Sequence, residues 1–350
     1  MGDVSEHHPY PWPAASSTGV GSWPGEDPDE AVRTVLGELP DLPHLPELPG
    51  RGVGADLIGR TAGLLVEFPV EVQPSGWRAA DTGGRDLHRA RGFLSRDLDV
   101  LAEHAHSYEG ALKVQVAGPW TMAASVELRN GQRMASDPGA YRDLAASHLE
   151  GVRAHIGQVR RRVPGARLLV QVDEPSLPAV LLGALPTASG YGRVRAVDRV
   201  RVEEVLRTLF DAVVAAGAVP AAHCCSADAP LNLLRRSGAR ALSLDAGLLD
   251  RRHDDMLGTA VEAGVGLLLG VVPGADPTPS EQARMSDPAT SVEVVRELWN
   301  RLGFGPDLLA RAVVPTPACG LAGASPQHAR AALKAVRDGA RVLRDEPRRP

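Results

Sequence analysis

RLLVQVDEP, residues 167–175, is the stretch whose reading decides the fold. Its apolar residues follow one another almost without a break and end on two carboxylates and a proline. A run this apolar suits a strand covered on both faces, as in a parallel sheet. GVGLLLGVVP at 264–273 has the same character. Working outward, eight such runs can be marked, at 17–22, 64–72, 111–119, 167–175, 217–225, 239–246, 264–273 and 311–320. Amphipathic stretches at 137–162, 197–216, 230–237, 253–263, 291–302 and 325–343 lie between them, some opening with Pro in the first turn. Eight strands alternating with helices predict an α/β fold, a single (β/α)8 TIM barrel over residues 17–345. Residues 1–16 and 346–350 then read as tails. PDLPHLPELP at 40–49 is too rich in proline for a helix and reads as an extended wrap across the surface.

The 350 residues, 43% of them hydrophobic, show neither an internal repeat nor a break in composition, so one domain is expected. A net charge of −5 gives no reason to expect nucleic acid or a membrane surface as partner. Among the basic residues only Lys113 and Lys334 are lysine, and the arginines are scattered rather than clustered. His7 and His8 sit in a proline-rich stretch and read as solvated. Three cysteines make no disulfide framework and suit a reducing cytoplasm. The opening residues lack an apolar signal core, and no apolar run approaches the ~18 residues of a membrane span.

Barrels of this kind carry function at the C-terminal ends of their strands. Ser22 ends the first run, Glu67 interrupts the second, and Asp173 and Glu174 end the fourth. His223 and Cys225 end the fifth, Asp245 the sixth and Cys319 the eighth. Side chains alternate along a strand, so His223 and Cys225 share a face while Cys224 points the other way and reads as a small buried hydrophobe. Two sulfurs and an imidazole nitrogen, with Asp245 as a further oxygen, favour zinc over magnesium or calcium. Ligands drawn from separate strands suit a catalytic centre better than a structural knuckle. Two thiolates make the ion a poor activator of water but a good binder of a substrate thiol. Coordination deprotonates a thiol of pKa ~8.5 at neutral pH, so thiol alkylation is the natural reaction class. Asp173 and Glu174 are candidate acid–base groups, and as strand neighbours they face opposite ways. Trp77 and Trp120 read first as core residues. GRGVGADLIG at 50–59 lacks the pattern of a phosphate loop.

VGSWPG, VEF with a later GW, GPWTMA, QVDEPSL, HCC and PACGL follow one another in this order. Together they resemble the catalytic half of cobalamin-independent methionine synthase, over roughly residues 17–345. The resemblance implies a barrel with zinc at its mouth that methylates homocysteine, or a related thiol, to methionine. By position, His223, Cys225 and Cys319 would be zinc ligands, with Asp245 in place of the family's glutamate. Val20, Gly21, Ser22, Glu67 and Asp173 would hold the amino-acid part of homocysteine. Three further positions depart from the family. Its pterin-stacking tryptophan falls on Ser125, its folate-reaching glutamate on Ala179 and its proton-donating histidine on Ala275. The methyl donor is therefore either methyltetrahydrofolate or a methylcorrinoid, the latter free or on a carrier protein, and the losses favour the corrinoid. A corrinoid-dependent enzyme for another small thiol, or a zinc- and thiol-binding relative without turnover, are the alternatives.

Overall fold

The computed structural model describes residues 10–347. His7 and His8 lie outside the described residues. Strands β1 (Val70–Gln73) and β2 (Gly76–Ala79) form a small antiparallel hairpin. Strands β3 (Ala111–Ala117), β4 (Arg167–Asp173), β5 (Val219–His223), β6 (Ala241–Asp245), β7 (Gly266–Val272) and β8 (Val313–Pro317) form one parallel sheet in sequential order. Helices separate them, among them Pro138–Arg162, Arg199–Ala215 and Pro326–Asp345, each close to the span expected from its apolar period. Asp137, Asp198 and Ser325 cap these three helices through side-chain oxygens, which fixes where each begins. The sheet core is closed to water, mostly aliphatic but with Lys113, Gln115 and Gln171 buried in it. Every residue of β3 is buried, as is every residue of β4 after Arg167.

Six of the eight expected strands form, and the first two do not. Residues 17–22 contribute only an isolated parallel bridge, Ser22 to Glu47. The run at 64–72 divides instead: Leu64 ends the helix Leu57–Leu64, Glu67 takes a left-handed turn with φ 51°, and Val70 enters the hairpin. The sequence 40–49 is extended, as expected, but it does not cross the surface. Leu42, His44, Leu45, Glu47 and Leu48 are all buried. Its backbone meets the edge of the sheet, the Leu45 N–H donating to the Lys113 carbonyl and the Lys113 N–H to that of Pro43, both at 2.9 Å. On its other side the Trp23 N–H donates to the Glu47 carbonyl at 2.7 Å, and the Thr18 N–H reaches the Pro315 carbonyl of β8 at 3.2 Å. Irregular chain thus spans the gap between β8 and β3. Proline removes the donors a regular ladder needs, which is why no strand is seen there.

From Tyr10 the stretch expected as an N-terminal tail packs into the fold. Tyr10 and Trp12 stack with ring centroids 5.6 Å apart and are buried in the core, Trp12 donating its indole N–H to the Arg311 carbonyl. Two large rings bury too much apolar surface to remain in water. At the other end the last helix stops at Asp345, and residues 348–350 lie outside the described residues. No described helix is long and apolar enough to cross a membrane.

Candidate metal and thiol site

The C-terminal ends of β5 and β8 deliver the site. His223 is the last residue of β5, Cys225 follows two residues later, and Cys319 lies two residues beyond β8. Among the described residues these three form the one group whose ligand atoms converge as a metal would require, all within 4.8 Å of one another. The two Sγ atoms are 3.6 Å apart. Two sulfurs on a single tetrahedral zinc, each at ~2.3 Å, would stand about 3.7 Å apart, so the residues fit such an ion. Ser243 holds the imidazole, its carbonyl 3.1 Å and its Oγ 3.0 Å from His223 Nδ1, which leaves Nε2 for the sulfurs. Hydrogen bonding from Cys225 and His223 pulls the Cys319 thiol down to about 4, while the same bond pushes Cys225 above the usual thiol range. Burial falls off from His223 through Cys225 to Cys319, so the cluster opens to solvent at its Cys319 side. Cys224 points away into the hydrophobic core, and burial raises its thiol to about 11.

Asp245 stands apart from this trio. Its Oδ1 accepts the Gly247 N–H at 2.8 Å and so caps the turn after β6. Burial raises its carboxyl, the Gly247 bond lowers it, and it feels the charges of Cys319 and His223 without joining their cluster. It also lines a cavity of about 260 Å³ that runs past Gly270, Val272 and Ala318 to Arg284.

Beside the trio lies an acidic floor. Asp173 ends β4 in register with His223, is buried, and accepts from Gln171 Nε2 at 2.7 Å. Burial raises its carboxyl against the pull of His223 and Lys113. Burial raises Glu47, from the buried proline-rich segment, to about 7, against the pull of Arg60, whose Nε lies 3.6 Å from its Oε1, and with a smaller push from Asp173. Val20, Gly21 and Ser22 come to the same mouth. The Ser22 carbonyl accepts the Leu321 N–H at 2.9 Å, and its Oγ accepts that of Ala322 at 3.3 Å. Gly320 permits this approach, because a Cβ there would sit 2.1 Å from Ser22 Oγ.

A sequence model of the family described as cobalamin-independent synthase, catalytic domain, matches residues 15–342. The chain belongs to that family. Membership makes it an enzyme of methyl transfer, of the class that forms methionine. A B12-independent methionine synthase from Shewanella sp. W3-18-1, solved with selenomethionine, is similar in fold: TM-score 0.60 at 13% identity, covering 96% of this chain and 99% of that one. D-psicose 3-epimerase from Clostridium cellulolyticum H10, solved with D-tagatose, gives 0.45 at 11% identity, covering 94% and 99%. Among curated proteins nothing matches.

Two residues expected at the methionine synthase-like site lie elsewhere. Glu67 is exposed on the outer helical layer, sharing a groove with Arg91, Ser95 and Gly151. The left-handed turn at this position swings the chain outward before the hairpin begins. Glu174 is fully buried, its Oε1 accepting the Trp120 N–H at 3.0 Å and its Oε2 both the N–H and the hydroxyl of Thr121 at 2.7 Å. It anchors the start of the helix Pro119–Ser125, with both oxygens engaged there. Glu47 and Lys113 escaped the sequence reading. A lysine inside a wholly buried strand was the available signal, since such a charge must find partners.

Proposed function

We propose that this chain is a zinc-dependent S-methyltransferase that methylates homocysteine to methionine, with zinc held by His223, Cys225 and Cys319. What carries the reading is the convergence of one imidazole and two thiols beside a buried carboxylate pair. When bound, zinc supplies the Lewis acidity that draws the proton from a substrate thiol at neutral pH. The chain's own residues do the rest. Ser243 sets the tautomer and angle of His223. Asp173 and Glu47 face the substrate ammonium, Glu47 taking the part first expected of Glu67. Ser22, through its hydroxyl and backbone, receives the carboxylate. Cys319, the most exposed of the three ligands, lies where donor and product exchange. Asp245 remains a candidate oxygen ligand through Oδ2, its Oδ1 being held by the Gly247 N–H.

In the same reading the fold is a (β/α)8 barrel whose first two staves are the irregular segments 18–23 and 43–47, and the enzyme works in the cytoplasm, where its thiols stay reduced. Ser125, Ala179 and Ala275 offer a pterin neither a stacking surface nor a general acid. A methylcorrinoid needs neither, because its cobalt departs without protonation, and it is the donor we expect. The test is to incubate zinc-loaded protein and homocysteine with methylcobalamin or methyltetrahydrofolate and assay methionine. Methionine formation with methylcobalamin the faster donor is the expected outcome. Turnover with methyltetrahydrofolate alone would reverse the assignment of donor, and no methionine with either would sink the function.

A further inference from the structure

Beneath the proposed site lies a cation that none of these roles uses. Lys113, on β3, is fully buried. Its ammonium donates to the Val20 carbonyl at 2.7 Å and to Gln171 Oε1 at 2.8 Å. Gln171 Nε2 donates in turn to the same Val20 carbonyl at 2.9 Å and to Asp173 Oδ1 at 2.7 Å. Strand register builds this chain of bonds. Gln171 and Asp173 are alternate residues of β4 and share a face, and Lys113, paired with Leu169 two residues before Gln171, lies on the same face of the neighbouring strand. An ammonium without water is costly unless compensated. Burial pulls Lys113 down to about 7 against the opposing pull of Asp173 and Glu47, the carboxylates assigned to the substrate ammonium. Both ends of the amino-acid grip therefore depend on one buried group: the Val20–Ser22 turn through its carbonyl, and Asp173 through Gln171.

We propose that Lys113, acting through Gln171, is a positioning residue that fixes the Asp173 carboxylate against the Val20–Ser22 turn and so sets the preference for amino-acid thiols over plain thiols. The inference rests on the functional reading above. Lys113 touches no substrate itself, being sealed beneath the residues that do. A lysine serving only as core filler would, on removal, lower stability and leave that preference unchanged.

The test uses the full chain loaded with zinc and three variants, Lys113→Met, Gln171→Met and the double change. Calorimetry gives the affinity for homocysteine and for an alkanethiol of the same length, and metal content is measured beside it. Each single change should weaken homocysteine on the order of tenfold to a hundredfold, the range for losing a hydrogen bond to a charged group. Alkanethiol affinity and zinc content should stay as in the unaltered protein. The double variant should fall little further than the worse single one, because both changes cut the same chain of bonds. If Lys113→Met does not fold, Gln171→Met, which nearly conserves volume, decides alone. A folded, metal-loaded Gln171→Met protein that keeps the full preference for homocysteine overturns the proposal and leaves the function standing. An unaltered protein that binds homocysteine no better than the alkanethiol overturns both.

Discussion

Cys224 and Cys225 are neighbours in sequence with opposite surroundings, one in the core and one against Cys319. Cys225→Ser and Cys319→Ser should each abolish zinc binding, whereas Cys224→Ser should retain one zinc per chain. Metal analysis of the purified variants checks this, and loss of zinc from Cys224→Ser alone would contradict the geometry. Glu47 and Glu67 separate in the same way. Glu47→Gln and Asp173→Asn should weaken homocysteine by roughly tenfold or more, as expected for a lost charge-assisted bond, while Glu67→Gln should leave the affinity unchanged. Binding isotherms decide between them. Most of the trio was legible because alternation along one short strand assigns faces without further knowledge. Glu47 was not, since its position depends on a proline-flanked segment entering the interior, and nothing in its local pattern distinguishes that path from a surface wrap.

Six helical stretches announced themselves through period and caps, and the six parallel strands through their apolar density, whereas the helices Pro28–Glu38 and Arg85–Ala105 were not marked. Residues 64–72 misled because their apolar positions serve three elements in succession: a helix end, a left-handed turn and a hairpin strand. Density alone cannot tell a strand from such a seam. Glu174 illustrates how an element is secured. Three donors at the start of the helix Pro119–Ser125 converge on its two oxygens. Gly118 keeps the contact close, since a Cβ there would lie 2.3 Å from that carboxylate. Replacing one oxygen by an amide leaves a buried donor facing a donor. Glu174→Gln should therefore cost about 1–3 kcal/mol in urea unfolding, with zinc content unchanged in the folded fraction.

Over the whole molecule, buried carboxyls give stability a distinctive pH slope. Burial raises Glu47 from 4.5 to about 7, so the folded state holds a proton that the unfolded chain would release. The stability this contributes, about 3 kcal/mol, is fully present below pH 4.5 and is lost as the pH rises through about 7. Thermal or urea unfolding of Glu47→Gln should show that much less decline across the window. Glu174, shifted by burial in the same direction, maintains part of the slope. The seam between β8 and the irregular N-terminal segments has a different consequence, in the order of events during synthesis. The Thr18 N–H waits for the Pro315 carbonyl, and the Ser22 carbonyl for the Leu321 N–H, some three hundred residues later in the chain. Contacts so distant in sequence form late, after the loop entropy between them has been overcome. A ribosome that has translated the first six parallel-sheet and seam segments has still not exposed Cys319. The nascent chain must therefore hold an open sheet edge, with His223 and Cys225 still lacking Cys319, until β8 and the residues after it emerge, the interval in which a chaperone, or a misplaced second copy of the same edge, would meet it.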